Sequence, residues 1–110
     1  MPLYPTIISG APFPSHDRAR VDANQKKIVS KLREIGCSVL HTHQLGKGAP
    51  DIIVGYKGKN YLIEIKDGDK PTTQQKLTPD EVKFQNDWQG QYDIANSFDR
   101  LLEIILEDEL

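Results

Sequence analysis

Apolar residues recur along the chain at two different spacings, which together predict seven secondary-structure elements. A helical spacing joins Val21, Ile28, Leu32 and Ile35 in the first long segment. Short apolar runs flank the turn-forming segment Lys57-Gly58-Lys59-Asn60, which predicts a β-hairpin. The predicted elements are a helix from Asp17 to about Gly36, strands from Cys37 to about Leu45, Asp51 to Tyr56 and Asn60 to Lys66, a helix from Thr78 to about Gly90, a strand from Tyr92 to Asn96 and a last helix from Ser97.

The order of these elements predicts the fold class. An α-β-β-β-α-β core followed by one more helix indicates an α/β fold with a small mixed sheet flanked by helices. The 110 residues are enough for one domain with a single core. Four prolines within residues 1–16 predict an extended arm, so we expect residues 17–110 to form the domain. Within the second helix, Phe84 and Trp88 are expected in the core.

Composition and charge narrow the class of protein. A single cysteine excludes an internal disulfide and a multi-cysteine zinc cluster, and with no secretory signal we expect a reducing cytoplasm. No apolar run approaches the roughly 20 residues of a membrane span. The net charge is −2, yet residues 18–83 carry thirteen Lys and Arg against eight Asp and Glu. A basic face of this kind suits a phosphate backbone, although ordinary solvated surface explains the charges equally well.

The hairpin carries the candidate chemistry. Its strands would bring Asp51 and Glu64 together at one end, and Lys66 would lie on the same face as Glu64 because side chains alternate along a strand. Charged residues inside an otherwise apolar strand are costly unless they are used. Two carboxylates and an ammonium at one point suit a phosphodiesterase that uses a divalent metal. The ordinary alternative is a solvated hairpin.

These residues carry a resemblance to a known group of proteins. Pro50-Asp51 followed by Glu64-Ile65-Lys66 resembles the motif of the PD-(D/E)XK nuclease superfamily, whose core is restriction-endonuclease-like. A narrower similarity, from about Asp22 to Leu106, is to its VRR-NUC branch, especially the small stand-alone phage and bacterial forms, which are similar in fold to Holliday-junction resolvases. The segments that carry it are 24–29, 48–51, 64–66, 77–81 and 88–90.

The resemblance implies a function and a set of site residues. It implies a Mg²⁺- or Mn²⁺-dependent DNA endonuclease, selective for branched, flap or junction DNA, often dimeric and without a small-molecule cofactor. Asp51 and Glu64 would be the metal ligands, Lys66 the catalytic lysine, and the backbone carbonyl of Ile65 a further ligand. Because Mg²⁺ keeps several of its waters, two carboxylates can be enough to hold it.

Other positions depart from the branch or extend the site. Many relatives carry a metal-binding glutamate in the first helix where Gln25 stands, and Gln25 would bring an amide oxygen without charge. Where relatives carry a glutamine in the second helix, this chain has Glu81, whose part in a helix-capping box explains it at least as well. Loop lysines beside the motif are candidates for contacts with DNA phosphates; they are Lys47, Lys70 and Lys76.

Three alternatives remain open from the sequence. The missing charge at Gln25 allows a non-catalytic DNA-binding or assembly module that keeps the fold. A nuclease that reads a specific sequence is also conceivable, although so short a chain offers little surface for reading bases. His41 and His43 form an H-x-H pair on one face of the first strand and could bind zinc or copper. Without a third ligand nearby, we expect them to be partly exposed strand residues instead.

Overall fold

A computed structural model describes residues 23–107, which form three α-helices, four β-strands and two short 3₁₀ turns. The elements are α1 (Ala23–Glu34), β1 (Ser38–His41), β2 (Ile52–Tyr56), β3 (Lys59–Ile65), α2 (Pro79–Asp87), β4 (Asp93–Ala95) and α3 (Phe98–Leu106), with 3₁₀ turns at His43–Leu45 and Thr72–Gln74. The predicted arm, residues 1–16, and the start of the helix predicted from Asp17 lie outside the described residues. None of the helices within 23–107 is long and apolar enough to cross a bilayer.

The strands form one mixed sheet in the order β1-β2-β3-β4. The first three strands are antiparallel, and β4 pairs with β3 in parallel. A parallel pair needs a crossover between its strands, and here the crossover contains α2. The predicted α/β class and its order of elements are therefore confirmed.

A tight turn fixes the register of the β2-β3 hairpin. Lys57 and Gly58 both have positive φ, 50° and 82°, as a two-residue turn of the type that matches strand twist requires. In the resulting register Ile52 lies opposite Ile63. The next positions outward are Asp51 and Glu64, so the turn chemistry itself brings the two carboxylates to the same end of the hairpin.

One face of the sheet is covered by helices and forms the core. α1 packs against β1 and α3, and α3 packs against β4. Ser97 caps α3 by accepting a hydrogen bond from the Arg100 backbone N–H at 3.1 Å, which helps α3 to start where the sequence predicts. The largest fully buried side chains are Ile28, Leu32, Val54, Ile52, Ile63, Leu101 and Ile105. Ile35, expected on this face, is 45% exposed because α1 ends at Glu34.

The first strand is shorter than predicted. It ends at His41, because the next positions of its partner are Asp51 and Pro50, and a proline has no N–H to continue the ladder. Thr42 closes the pairing: its N–H donates to the Asp51 carbonyl (2.9 Å) and its hydroxyl to the Pro50 carbonyl (2.6 Å). The chain then turns into the 3₁₀ helix that contains His43. The expectation that His41 and His43 share one strand face is therefore wrong.

The second helix lies at the surface more than expected. Within the described part of the chain, α2 contains no buried residue. Trp88, which follows its last turn, is 45% exposed, and Phe84 is half-buried. The two rings stack on each other, with centroids 5.4 Å apart and planes 13° apart. The prediction of a core position is therefore wrong for both residues, because neither ring packs against the core cluster of residues 23–107 and the two stack on each other instead.

Gly48 lets the loop before β2 touch the start of α2. It has a φ of 80°, and a Cβ at this position would overlap the backbone carbonyl of Asp80. Both the left-handed conformation and the close approach therefore require glycine. This contact fixes the first turn of α2 against the loop that leads to Asp51.

We expect Gly48→Ala to destabilise the fold more than Gly58→Ala. Gly58 has a similar φ of 82° but no described atom within 4 Å of a Cβ, so alanine there costs about 1–2 kcal/mol for backbone conformation alone. At Gly48 the overlap adds about 1–3 kcal/mol. Urea denaturation of both variants measures the difference. Equal losses would mean that the contact with Asp80 is not maintained in solution.

Candidate functional site

The hairpin end brings together the three predicted site residues. Glu64 is buried, 3% exposed, and one of its oxygens, Oε2, lies 3.4 Å from the Lys66 ammonium nitrogen. Asp51 is half-buried, and its Oδ2 accepts a hydrogen bond of 2.8 Å from the Ile65 backbone N–H. That bond ties the Asp51 side chain across to β3. The predicted cluster of two carboxylates and one ammonium is therefore present as geometry, and its chemical roles stay predictions.

Glu81 joins this cluster from α2. Its N–H donates to the Thr78 hydroxyl (3.2 Å) and its Oε1 accepts from the Thr78 N–H (2.8 Å), which forms the expected capping box. The same Oε1 also accepts a hydrogen bond of 2.9 Å from the Lys66 ammonium. The capping interpretation of Glu81 is confirmed, and the residue has a second contact that the sequence alone did not reveal.

Burial gives Glu64 an unusual proton affinity. Loss of hydration raises the pKa of Glu64 first, and the negative charges of Asp51 and Glu81 raise it further, to about 9. Burial also raises the pKa of Asp51, although the Ile65 N–H opposes that change. Among the described residues, no group donates a hydrogen bond to Glu64 Oε1, and a hydrogen bond from protonated Glu64 to the Glu81 carboxylate adds to the raised pKa. A carboxylate held in this way favours either a proton or a cation beside it.

Lys66 is held in its charged form. Burial lowers the pKa of Lys66, but the hydrogen bond to Glu81 and the charge of Glu64 outweigh that effect and raise the pKa overall. In turn, the Thr78 N–H and Lys66 overcome the effect of burial and lower the pKa of Glu81. A lysine with a raised pKa is a poor base at neutral pH. The arrangement suits an ammonium that stabilises negative charge.

Two further residues lie at the site: Tyr92, which sequence reasoning missed, and His43, which it considered only as half of an H-x-H pair. The hydroxyl of Tyr92 is buried and has no hydrogen-bond partner among residues 23–107, and both ring nitrogens of His43 share that condition. Burial raises the pKa of Tyr92, and the charges of Glu64 and Glu81 add to the increase. Tyr92 belongs to no recognisable motif. Only the parallel pairing of β4 with β3 brings Tyr92 close to Glu64.

The first helix, α1, contacts the motif through Asn24, the residue before Gln25. Gln25 is buried, and its Nε2 lies 3.3 Å from Nδ1 of His41. Asn24 donates from its side-chain amide to the backbone carbonyl of Lys66 at 3.3 Å. A metal-binding role for Gln25 stays a prediction, as does the ligand role of the Ile65 carbonyl.

The three loop lysines lie at the surface on both sides of the motif. Lys47 lies in the loop before Pro50, and Lys70 and Lys76 follow Lys66 in the loop that leads to α2. All three side chains are exposed, which DNA contact requires. Their part in binding DNA stays a prediction.

The donor set fits a hard divalent cation. Carboxylate oxygens are the ligands that Mg²⁺ and Mn²⁺ prefer, and Glu64 Oε1, which accepts no hydrogen bond from the described residues, lies in the same cluster as half-buried Asp51. Within residues 23–107, no group of three or more His, Cys, Asp or Glu side chains is arranged to hold a metal ion. Mg²⁺ needs only one or two carboxylates when water completes its shell. Asp51 and Glu64 therefore meet the minimum requirement.

Comparison with known proteins identifies the fold. No family model and no curated protein matches the chain. A solved structure described as a VRR_NUC domain matches with a TM-score of 0.56 and 21% sequence identity, over 74% of this chain and 88% of the other. The chain has the fold of a VRR_NUC domain. This result confirms the fold that the motif resemblance implied, and at this identity the VRR_NUC likeness is one of fold alone.

We predict that the chain without divalent cations loses stability as pH rises, and that Glu64→Gln removes most of this loss. Because the pKa of Glu64 is raised from 4.5 to about 9 in the folded chain, its protonation stabilises the fold fully below pH 4.5, and that contribution disappears as pH rises through about 9. One proton corresponds to at most about 1.4 kcal/mol per pH unit. Urea denaturation in chelator from pH 5 to 9 measures the slope.

The exposed Glu34→Gln serves as the control for that slope. It removes a carboxylate from the surface of α1 and should leave the pH dependence of the unfolding free energy as in the wild type. A Glu64→Gln variant with the wild-type slope would show that Glu64 is not the group responsible.

Proposed function

We propose that this chain is a divalent-metal-dependent endonuclease that hydrolyses phosphodiester bonds in DNA. The observation that carries the proposal is the pairing of half-buried Asp51 with buried Glu64, whose Oε1 accepts no hydrogen bond from residues 23–107 and whose Oε2 lies 3.4 Å from the Lys66 ammonium nitrogen. Such a cluster destabilises the fold in the absence of a ligand, which is typical of a functional site. The likeness in fold to a solved structure described as a VRR_NUC domain supports the same activity.

Each residue of the cluster has a task in this proposal. Asp51 and Glu64 would hold Mg²⁺ or Mn²⁺, with the Ile65 carbonyl as a further oxygen donor. A bound divalent cation supplies positive charge at the phosphate and lowers the pKa of a water molecule. Lys66 stabilises the charge that develops on the phosphate, and Glu81 orients its ammonium. The Ile65 N–H fixes the rotation of the Asp51 carboxylate.

The proposal also includes the DNA contacts outside the cluster, the preferred DNA structure and the oligomeric state. Lys47, Lys70 and Lys76 would contact DNA phosphates on both sides of the site, and branched, flap or junction DNA would be preferred. A homodimer would provide the surface that one small domain lacks for gripping such a substrate. The expected setting is the cytoplasm of a bacterial or phage-infected cell.

Asp51→Asn and Lys66→Ala should each lower DNA cleavage at least about 100-fold, because each removes a charge on which the reaction depends. A labelled panel of four-way junction, flap, duplex and single strand, with Mg²⁺, Mn²⁺ or chelator, measures cleavage and substrate preference. Lys83→Ala is the matched control, since Lys83 is exposed and pairs with Asp87 at the surface. Full activity in the Lys66→Ala variant would refute the assignment of the lysine.

Divalent cations should stabilise the wild type and not the Asp51→Asn variant. Binding to the folded chain alone adds about 2.7 kcal/mol to the unfolding free energy at a ligand concentration 100 times Kd. Thermal unfolding of both proteins across a Mg²⁺ or Mn²⁺ titration measures this linkage without any need for activity. An equal shift in both proteins would place the cation elsewhere on the chain.

A second candidate, a non-catalytic DNA-binding or assembly module, is favoured by one observation. Gln25, at the position where many relatives carry a charged ligand, has its amide 3.3 Å from His41. This candidate predicts DNA binding without metal-dependent strand breaks. The cleavage panel separates the two, provided that binding is measured on the same DNA molecules.

A further inference from the structure

An exposed aromatic surface lies at the end of α2. Trp88 is 45% exposed, and one side of its indole is supported by the stacked Phe84 ring. The stacking orients the indole, Gly90 lies beside the indole nitrogen, and nearly half of the residue is open to solvent. A supported, half-open indole suits a second flat ring as its partner.

A ring contact links this surface to the proposed active site. The Phe84 ring lies 5.8 Å from the ring of Tyr92, whose pKa responds to the charges of Glu64 and Glu81. Along α2, Trp88 follows Glu81 by seven residues, or about 10 Å at the rise of an α-helix. Since a DNA strand advances about 3.4 Å per nucleotide, this rise corresponds to about three nucleotides from Glu81, which contacts Lys66 of the cluster.

The size of the surface distinguishes between its potential partners. A whole tryptophan side chain contributes about 150–250 Å² when buried, and less than half of Trp88 is open. A stable contact with a second protein chain needs about 800 Å² per partner. One nucleobase, in contrast, needs only one flat ring, and base stacking on an aromatic side chain tolerates any sequence.

We propose that Trp88 is a stacking platform for an unpaired base of the DNA bound at Asp51 and Glu64. The substrate class is then DNA with single-stranded nucleotides beside the cleavage point, because the faces of bases inside a duplex are covered by their neighbours. This inference rests on the proposed function for the position of the strand. It adds a substrate contact that the motif residues do not provide.

The experiment compares two DNA probes of equal duplex length, one fully paired and one with a short single-stranded extension, both in chelator. Fluorescence anisotropy of labelled probes gives the affinities of the wild type, Trp88→Ala and Trp88→Phe. We expect Trp88→Ala to weaken binding of the extended probe about 5- to 100-fold and to leave the paired probe unchanged. Trp88→Phe should restore most of the affinity. Val82→Ala, an exposed apolar residue on the same helix, is the matched control and should bind both probes as the wild type does.

The chain offers a direct optical readout, because Trp88 is its one tryptophan. The extended probe should quench its fluorescence to saturation at the Kd from anisotropy, and the paired probe should not. Wild-type affinity of Trp88→Ala for the extended probe would overturn the proposal, as would an equal loss on both probes. If the tryptophan fluorescence changes with protein concentration in the absence of DNA, the surface at Trp88 binds a second copy of the chain and the proposal is wrong. If Trp88→Ala loses affinity for the extended probe but no DNA in the panel is cleaved, this inference holds and the proposed nuclease activity is wrong. If DNA is cleaved and Trp88→Ala binds and cleaves as the wild type does, the nuclease proposal holds and this inference is wrong.

Discussion

The structure depends on the burial of two carboxylates at one end of a hairpin. Asp51 and Glu64 lie at the first positions beyond the paired Ile52 and Ile63, and burial raises the pKa of both carboxyls; the charge of Asp51 raises the pKa of Glu64 further. Such an arrangement is costly for the fold, because both carboxyls lose hydration and one ammonium is shared among several acidic groups. The neighbouring elements contain the groups that offset this cost: the Ile65 N–H for Asp51 and the Lys66 ammonium for Glu64.

The second helix completes this compensation with a residue that has two tasks. Glu81 closes the capping box with Thr78 and also pairs with Lys66, so the start of α2 and the position of the ammonium are determined together. Gly48 permits the loop before Asp51 to approach the same turn of helix. Changes at the beginning of α2 therefore reach the carboxylate cluster through direct contacts.

The two faces of the sheet differ in kind. The face under α1 and α3 contains the apolar core and provides the stability. The opposite side carries Glu64, the Tyr92 hydroxyl, which has no hydrogen-bond partner in the described part of the chain, and the thin cover of α2 with its stacked aromatic rings. This division gives the site a rigid base, while its polar groups keep hydrogen-bonding capacity for a ligand.

The sequence determined the local structure and the candidate cluster. The Lys57-Gly58 turn and the alternation along β3 place Asp51, Glu64 and Lys66 at one end, because turn type and strand period depend on near neighbours in the chain. The capping box at Thr78 was predictable for the same reason.

Only the tertiary structure decided which residues surround that cluster. The first strand ends at His41 because of its partner's proline, which separates His43 from the expected strand face. The position of Trp88 depends on how deeply α2 packs, and helical periodicity shows an apolar face without showing what covers it. Tyr92 comes near Glu64 through the parallel pairing of β3 with β4, two segments separated by the α2 crossover. Contacts between such distant segments depend on the packing of the whole domain, and a local pattern does not contain them.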